Sequence, residues 1–175
     1  MLWDYIRIRK DIIMNVKEAL KITDSFTKTS KMPGLSYSLP AWACQTGSKL
    51  RLVPTSPCFG CYALKGNYTR YPAIKAAQYR RLDSITNPLW VEAMATKIKR
   101  QKWFRWHDAG DLQSSEHMAK IIEVCKLTPD TKHWLPTQER QYLPKPEDVP
   151  ENLIIRLSAA KVDGTAGNAW SHSST

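Results

Sequence analysis

The sequence predicts an α/β fold, a short and mostly parallel sheet with helices, joined to one irregular cysteine-rich loop. Three observations carry that expectation. Aromatic and β-branched runs alternate with stretches of helical periodicity through the second half of the chain. Residues 41–63, A-W-A-C-Q-T-G-S-K-L-R-L-V-P-T-S-P-C-F-G-C-Y-A, hold three of the four cysteines and are interrupted by Gly47, Pro54, Pro57 and Gly60. A length of 175 residues, 42% of them hydrophobic, suffices for one domain with a core and is short for two. The expected organisation is an N-terminal extension and helix over residues 1–30, then a single cysteine-cluster domain over residues 31–175.

The first segment, M-L-W-D-Y-I-R-I-R-K-D-I-I-M, alternates charged and apolar residues and has neither a signal-peptide core nor a small-residue cleavage site. Met14 is a second plausible start, which would make the first 13 residues an extension. K-E-A-L-K-I-T-D-S-F is weakly helical. After Pro33-Gly34, the alternation of Leu35, Tyr37 and Leu39 reads as a short strand ending at Pro40. The cysteine loop follows. From Tyr71, Ile74, Gln78, Leu82 and Ile85 recur at helical spacing, and Asn87-Pro88 supplies a cap and first-turn proline for a helix facing inward with Val91, Met94, Ala95 and Ile98.

W-F-R-W-H then reads as a strand running into the turn D-A-G-D. Ser114 or Ser115 caps the next helix, whose apolar stripe is Met118, Ile121, Ile122 and Cys125, and L-T-P-D ends it. K-H-W-L is a strand leading into P-T-Q-E-R, and N-L-I-I-R-L another leading into S-A-A-K-V-D-G. Strand, crossover and strand repeat at a spacing that suits parallel pairing. If the strands are parallel, the cysteine loop and the segments 107–111, 136–140 and 158–164 all follow strand carboxyl ends, the edge where α/β sheets and barrels bind ligands.

The charge and cysteine usage narrow the function classes. Three clustered thiols and one in an apolar context do not form the framework of a secreted disulfide protein, so a reducing cytoplasm fits better. No segment approaches the roughly 20 apolar residues of a membrane-spanning helix, so no membrane partner is expected. The net charge of +10 concentrates between Lys65 and Arg105, where ten Lys or Arg face only Asp83 and Glu92. That region suits a nucleic acid, or simply solvates the outer faces of two helices. T-G-S-K lacks the earlier glycine of a phosphate loop, and no G-x-G-x-x-G occurs.

Cys58-Phe59-Gly60-Cys61 is a C-x-x-C knuckle, a turn on which two thiolates converge on one centre, and Cys44 lies where the loop can return a third sulfur. The alternatives are a redox dithiol and three uncommitted thiols. Structural zinc prefers four ligands and would have to recruit His107, His133 or Cys125. An iron–sulfur cluster on three cysteines leaves one iron open to a side chain, water or substrate. Cys125, on a helical stripe, reads as core. In H-D-A-G-D, His107, Asp108 and Asp111 can bind metal or do acid–base work, or an aspartate can merely cap the next helix with Gly110 allowing the turn. Thr137, Gln138, Glu139, Arg140, Ser158 and Asp163 are further polar residues of the same rim, each ordinary by itself.

G-L-S-Y-S-L-P-A, C-F-G-C-Y-A-L-K-G-N-Y, F-R-W-H-D-A-G-D and W-L-P-T-Q-E-R, in that order, resemble the gene product 88 family of phage and mobile-element proteins, from about Pro33 to Gly164. The resemblance implies a phage origin, hence the cytoplasm of an infected bacterium, and a cysteine-bound cofactor. The layout is also similar, at a distance, to half of a radical SAM-type barrel. That similarity implies a 4Fe-4S cluster on Cys44, Cys58 and Cys61, and S-adenosylmethionine at later strand ends near His107, Asp108, Asp111 and Ser158. C-x13-C-x-x-C stands here in place of C-x-x-x-C-x-x-C, and about four strands are visible. The leading expectation is a phage iron–sulfur protein with one open iron, redox-active or S-adenosylmethionine-related. The rival is a zinc-stabilised nucleic-acid-binding protein using the basic 65–105 region.

Overall fold

The computed structural model describes residues 14–166 and 170–174. The proposed extension over the first 13 residues lies outside them. Asn15 opens helix α1 (Val16–Thr23) with a reciprocal cap: its side chain accepts from Glu18 N at 3.0 Å, and Glu18 Oε2 accepts from Asn15 N at 3.0 Å. Two-residue strand β1 (Thr27–Lys28) follows, then β2 (Leu35–Tyr37). The stretch read as an irregular cysteine loop contains a 3-10 turn at Ala41–Ala43, helix α2 (Gln45–Leu50) and a second 3-10 turn at Tyr62–Leu64. Helices α3 (Asn67–Arg70), α4 (Pro72–Ser84) and α5 (Trp90–Ile98) lead to β3 (Trp103–Trp106). Helix α6 (Ser115–Leu127), β4 (Lys132–Thr137), β5 (Leu153–Ser158) and β6 (Ser173–Ser174) complete the chain.

The six strands form one sheet in sequence order, β1-β2-β3-β4-β5-β6, with β1 antiparallel to β2 and every other pair parallel. The fold is therefore α/β with a mostly parallel sheet, as the strand–crossover repeat predicts. The two strands missing from the sequence reading, β1 and β6, are two residues each, too short to show a period. Because the order never reverses, the core collects on one face: Tyr37, Phe104, Trp106, Leu135, Leu153 and Ile155 meet Trp90, Met94 and Ile98 of α5 and Met118, Ile121 and Val124 of α6. Cys125 lies in this core with no exposure, as its place on the stripe predicts.

Helix α1 and β1 pack onto the rest of the described residues. Ala19 of α1 and Ala93 of α5, both fully buried, let the two helices approach, and Lys97 reaches back to donate to Thr23 Oγ1 at 2.9 Å and to the Asp24 carbonyl. At the C-terminus of α6 one side chain does the splicing. Asn152 Nδ2 lies within 3.0–3.1 Å of the Cys125, Thr128 and Thr131 carbonyls, tying the helix end to the start of β5. Ser114 caps α6 by accepting from His117 N at 3.1 Å. Helix α5 starts at Trp90, after a turn in which Asn87 Oδ1 accepts from Leu89 N at 2.8 Å. Gln78 of α4 and Ile85 at its C-terminal cap turn inward as the period predicts, but Ile74 is 38% exposed, like its neighbours in the first turns of that helix.

Candidate metal centre on the strand-end rim

Parallel strands put their carboxyl ends on one edge, and the four predicted rim segments do meet there. Cys44, Cys58, Cys61, His107, Asp108, Asp111 and Ser158 all line one cavity of ≈ 240 Å³. Asp163 does not line it. The knuckle has the geometry its sequence requires: Gly60 takes φ +73°, a left-handed turn costly for any other residue, and Cys61 N donates to Cys58 O at 3.2 Å. Cys44 reaches the same cavity from the N-terminus of α2. Alanines bring the two turns together, Ala41 and Ala63 packing with Ala109 of the H-D-A-G-D segment.

Gly47 shows how close the thiols come. A Cβ built on it would lie 3.0 Å from Cys44 Cβ and 3.8 Å from both Cys44 Sγ and Cys58 Sγ, so the two sulfurs are no further apart than twice that last distance. The missing side chain leaves a cradle between them. Burial raises the thiol pKa of Cys44, with Asp111, the other two cysteines and Glu139 adding to the shift; burial also raises Cys58, with Cys61 next. Raised thiols are poor redox nucleophiles, which rely on a stabilised thiolate. A bound cation reverses the penalty, because it compensates the thiolates directly. Soft sulfur donors, a cradle and nearby carboxylates fit a cationic metal centre. Among the described residues, however, no three His, Cys, Asp or Glu side chains are arranged to hold a single metal ion. Of the extra ligands considered for zinc, His133 Nε2 bonds Thr128 Oγ1 at 2.9 Å and Cys125 is core, whereas His107 lines the thiol cavity with both ring nitrogens unpartnered.

The H-D-A-G-D turn is held by its neighbours. Gly110 has φ +80°, and a Cβ there would come within 2.6 Å of Leu39 Cβ, so glycine is required by both conformation and space. His107 takes φ +56°, unusual for a side-chain-bearing residue; its ring nitrogens are buried without partners, its ring lies 5.3 Å from that of His117, and burial drives its pKa well down. Asp108 is 1% exposed; Oδ2 accepts from Tyr68 OH at 3.0 Å, while Oδ1 has no partner. Asp111 is saturated. Oδ1 accepts from Leu112 N at 2.8 Å and Thr137 Oγ1 at 2.6 Å, and Oδ2 from Gln138 N at 2.8 Å; burial nevertheless raises its pKa to about 6. It serves as a brace between β3 and β4, leaving Asp108 as the rim carboxylate with a free oxygen.

The sequence marks Thr137, Gln138, Glu139 and Arg140 only as ordinary rim residues, yet between them they tie down the H-D-A-G-D turn, the cysteine segment and the segment after β5. Glu139 is fully buried and reaches the cysteine segment: Oε1 accepts from Gln45 N at 3.0 Å and Thr46 N at 2.7 Å, and Oε2 from Thr46 Oγ1 at 2.6 Å. Those are the first amides after Cys44, so a carboxylate from the β4 rim sets the orientation of that cysteine's helix. Gln138 Nε2 donates to Ala159 O at 2.8 Å, and Arg140 to Ala166 O at 2.6 Å and Ser158 O at 3.1 Å. No local signal marks these roles, because every partner is distant in sequence.

The basic 65–105 region is divided. Arg81 and Lys97 are buried, Arg81 donating to Ser25 O at 2.9 Å and Ser38 Oγ at 2.7 Å, and Arg80 pairs with Asp24 at 2.8 Å. Lys65, Arg70, Lys75, Lys99, Arg100 and Lys102 remain exposed. Among the described residues no helix is long and apolar enough to cross a membrane. A family model described as gene product 88 matches residues 12–172. No curated protein and no solved structure matches the chain.

Proposed function

The chain belongs to the gene product 88 family, and on that footing we propose that it is a phage-encoded iron–sulfur protein of the host cytoplasm. Cys44, Cys58 and Cys61 would hold one 4Fe-4S cluster whose remaining iron faces the rim cavity. The observation that carries this reading is the cradle at Gly47, which sits between two thiols while the third lines the same cavity. Each cysteine of such a cluster binds a different iron and one iron is left open, so three thiols on one cavity suffice for it, whereas structural zinc prefers four protein ligands.

When bound, such a cluster supplies one-electron transfer and, at an iron without a cysteine, a place for a further ligand. The chain's own residues supply the rest. Glu139 fixes the helix that begins at Cys44, and Gly60 fixes the knuckle. On the rim, Asp108 Oδ1 is a buried acceptor with no partner, suited to an ammonium or hydroxyl, and Ser158 lines the wall. A small polar ligand of the S-adenosylmethionine type matches that chemistry; electron transfer without a ligand is the simpler form of the same proposal. The unbroken strand order of the parallel sheet supports the half-barrel comparison behind it.

Anaerobic purification with iron, sulfide and zinc analysis is the test. The expected protein is brown, with close to stoichiometric sulfide and iron; Cys44→Ala, Cys58→Ala and Cys61→Ala each lose iron, while Cys125→Ala keeps it and loses only stability, by about 1 kcal/mol. A colourless protein with one equivalent of zinc and no iron rejects the cluster. Adding S-adenosylmethionine to the reduced protein separates the two forms of the proposal, since only an iron-bound ligand perturbs the electron paramagnetic resonance of the cluster.

A further inference from the structure

The core lies on one face of the sheet, and the other face has a composition of its own. Its outward positions on β3, β4 and β5 carry Trp103, Arg105, Lys132, Trp134, Ile154 and Arg156. Register makes them one platform: Arg105 is opposite Trp134, Trp134 opposite Ile154, and Trp103 opposite Lys132. Trp103 and Ile154 are each 45% exposed, Lys132 and Arg156 are exposed, and none of the six belongs to an apolar core cluster. The Arg105 guanidinium lies 4.8 Å from the centroid of the Trp134 ring, its Nε buried without an acceptor, and Lys102 Nζ lies 5.7 Å from the centroid of the Trp103 ring.

Parallel sheets are ordinarily covered on both faces, with apolar residues at successive positions. Here apolar inward positions alternate with indoles and cations, so the second face is built for a partner that is flat in places and charged. From Trp103 to Trp106, Lys132 to Thr137 and Leu153 to Ser158 there is no Asp or Glu. A second copy of the chain would set cation against cation, whereas a polyanion complements the face. Indoles flanked by guanidinium and ammonium groups are the elements that stack bases and neutralise phosphates along a single strand; a duplex keeps its bases inside its own stack and cannot use them.

We propose that this face binds single-stranded nucleic acid, with bases on Trp103 and Trp134 and phosphates on Lys132, Arg156 and the Arg105 side. At its carboxyl end the platform meets the thiol cavity, whose wall includes Arg105, Pro136 and Ser158. The inference stands on this face alone and does not depend on what the thiols hold.

The test is fluorescence anisotropy of labelled single-stranded DNA and RNA of mixed sequence, titrated with full-length protein across a salt series. Binding is expected at low salt and stronger than for the matching duplex. Trp103→Ala and Trp134→Ala weaken it by roughly tenfold each, and Trp134→Phe restores most of the loss, since any aromatic face stacks. Lys132→Glu with Arg156→Glu lowers the slope of log affinity against log salt by about 0.7 per phosphate contact removed. Lys75→Glu and Lys126→Glu, on the helix side of the molecule, leave it unchanged, and thermal melting confirms that each variant is folded. Absence of binding at low salt overturns the proposal. So does an equal loss from the helix-side reversals, or binding of polyglutamate or anionic vesicles at comparable strength with no effect of the tryptophan variants.

Discussion

Gly47 is where one methyl group separates stability from loading. It lies within α2, where alanine is worth about 1 kcal/mol more than glycine, yet its Cβ would press on Cys44 at 3.0 Å and fill the cradle between two sulfurs. Gly47→Ala is therefore expected to leave the metal-free protein as stable as before, or up to about 1 kcal/mol more stable, while iron per chain falls; urea melts beside metal analysis check both. A loss of stability with full iron would show that the cradle serves only the fold. That the three thiols share one cavity is legible in the sequence, because a C-x-x-C turn is a local pattern. The role of Gly47 is not, since its spacing to Cys58 through the folded loop depends on tertiary structure.

The rim segments work as a set of cross-braces. Glu139→Ala leaves two part-buried backbone amides and the Thr46 hydroxyl without their carboxylate acceptor and is expected to cost about 2 kcal/mol, in line with lost charge-assisted hydrogen bonds. Glu139→Gln keeps an oxygen for the two amides and is expected to cost about 1 kcal/mol; because it removes a negative charge near Cys44, it should raise the midpoint potential of a bound cluster, measurable by redox titration of the visible spectrum. An unchanged potential with an intact spectrum would limit Glu139 to bracing. The sequence located the longer elements well, since β3, β4, β5 and helices α4, α5 and α6 each declare a period, while two-residue β1 and β6 do not. It left T-Q-E-R without roles, because hydrogen bonds to Asp111, Thr46, Ala159 and Ser158 join segments that no periodicity relates.

Across the whole molecule, the buried imidazoles set the response to acid. Burial, reinforced by Lys120, lowers His117 to about 3, and burial lowers His133 to about 4 against a hydrogen bond from its ring to the Thr128 backbone, both from an ordinary value of 6.5. Between those values the unfolded chain binds protons that the folded chain refuses, so stability is complete above pH 6.5 and declines as the pH falls toward about 4. Melting temperature against pH should show that decline, and His117→Leu should make it shallower; an unchanged slope would place the acid lability elsewhere. The alternation of Trp103, Arg105, Trp134 and Arg156 is in the sequence, but only the strand register reveals that these residues share one face of the sheet. The bond from Thr46 to Glu139 spans 93 residues, which gives the site a chronology. In a growing chain all three thiols are made before the carboxylate that positions the first of them, so the cysteine segment waits for β4 to join the sheet. The thiol cavity is then assembled only after β4 has joined the sheet, and on the proposed reading a loaded centre would certify an assembled rim rather than start one.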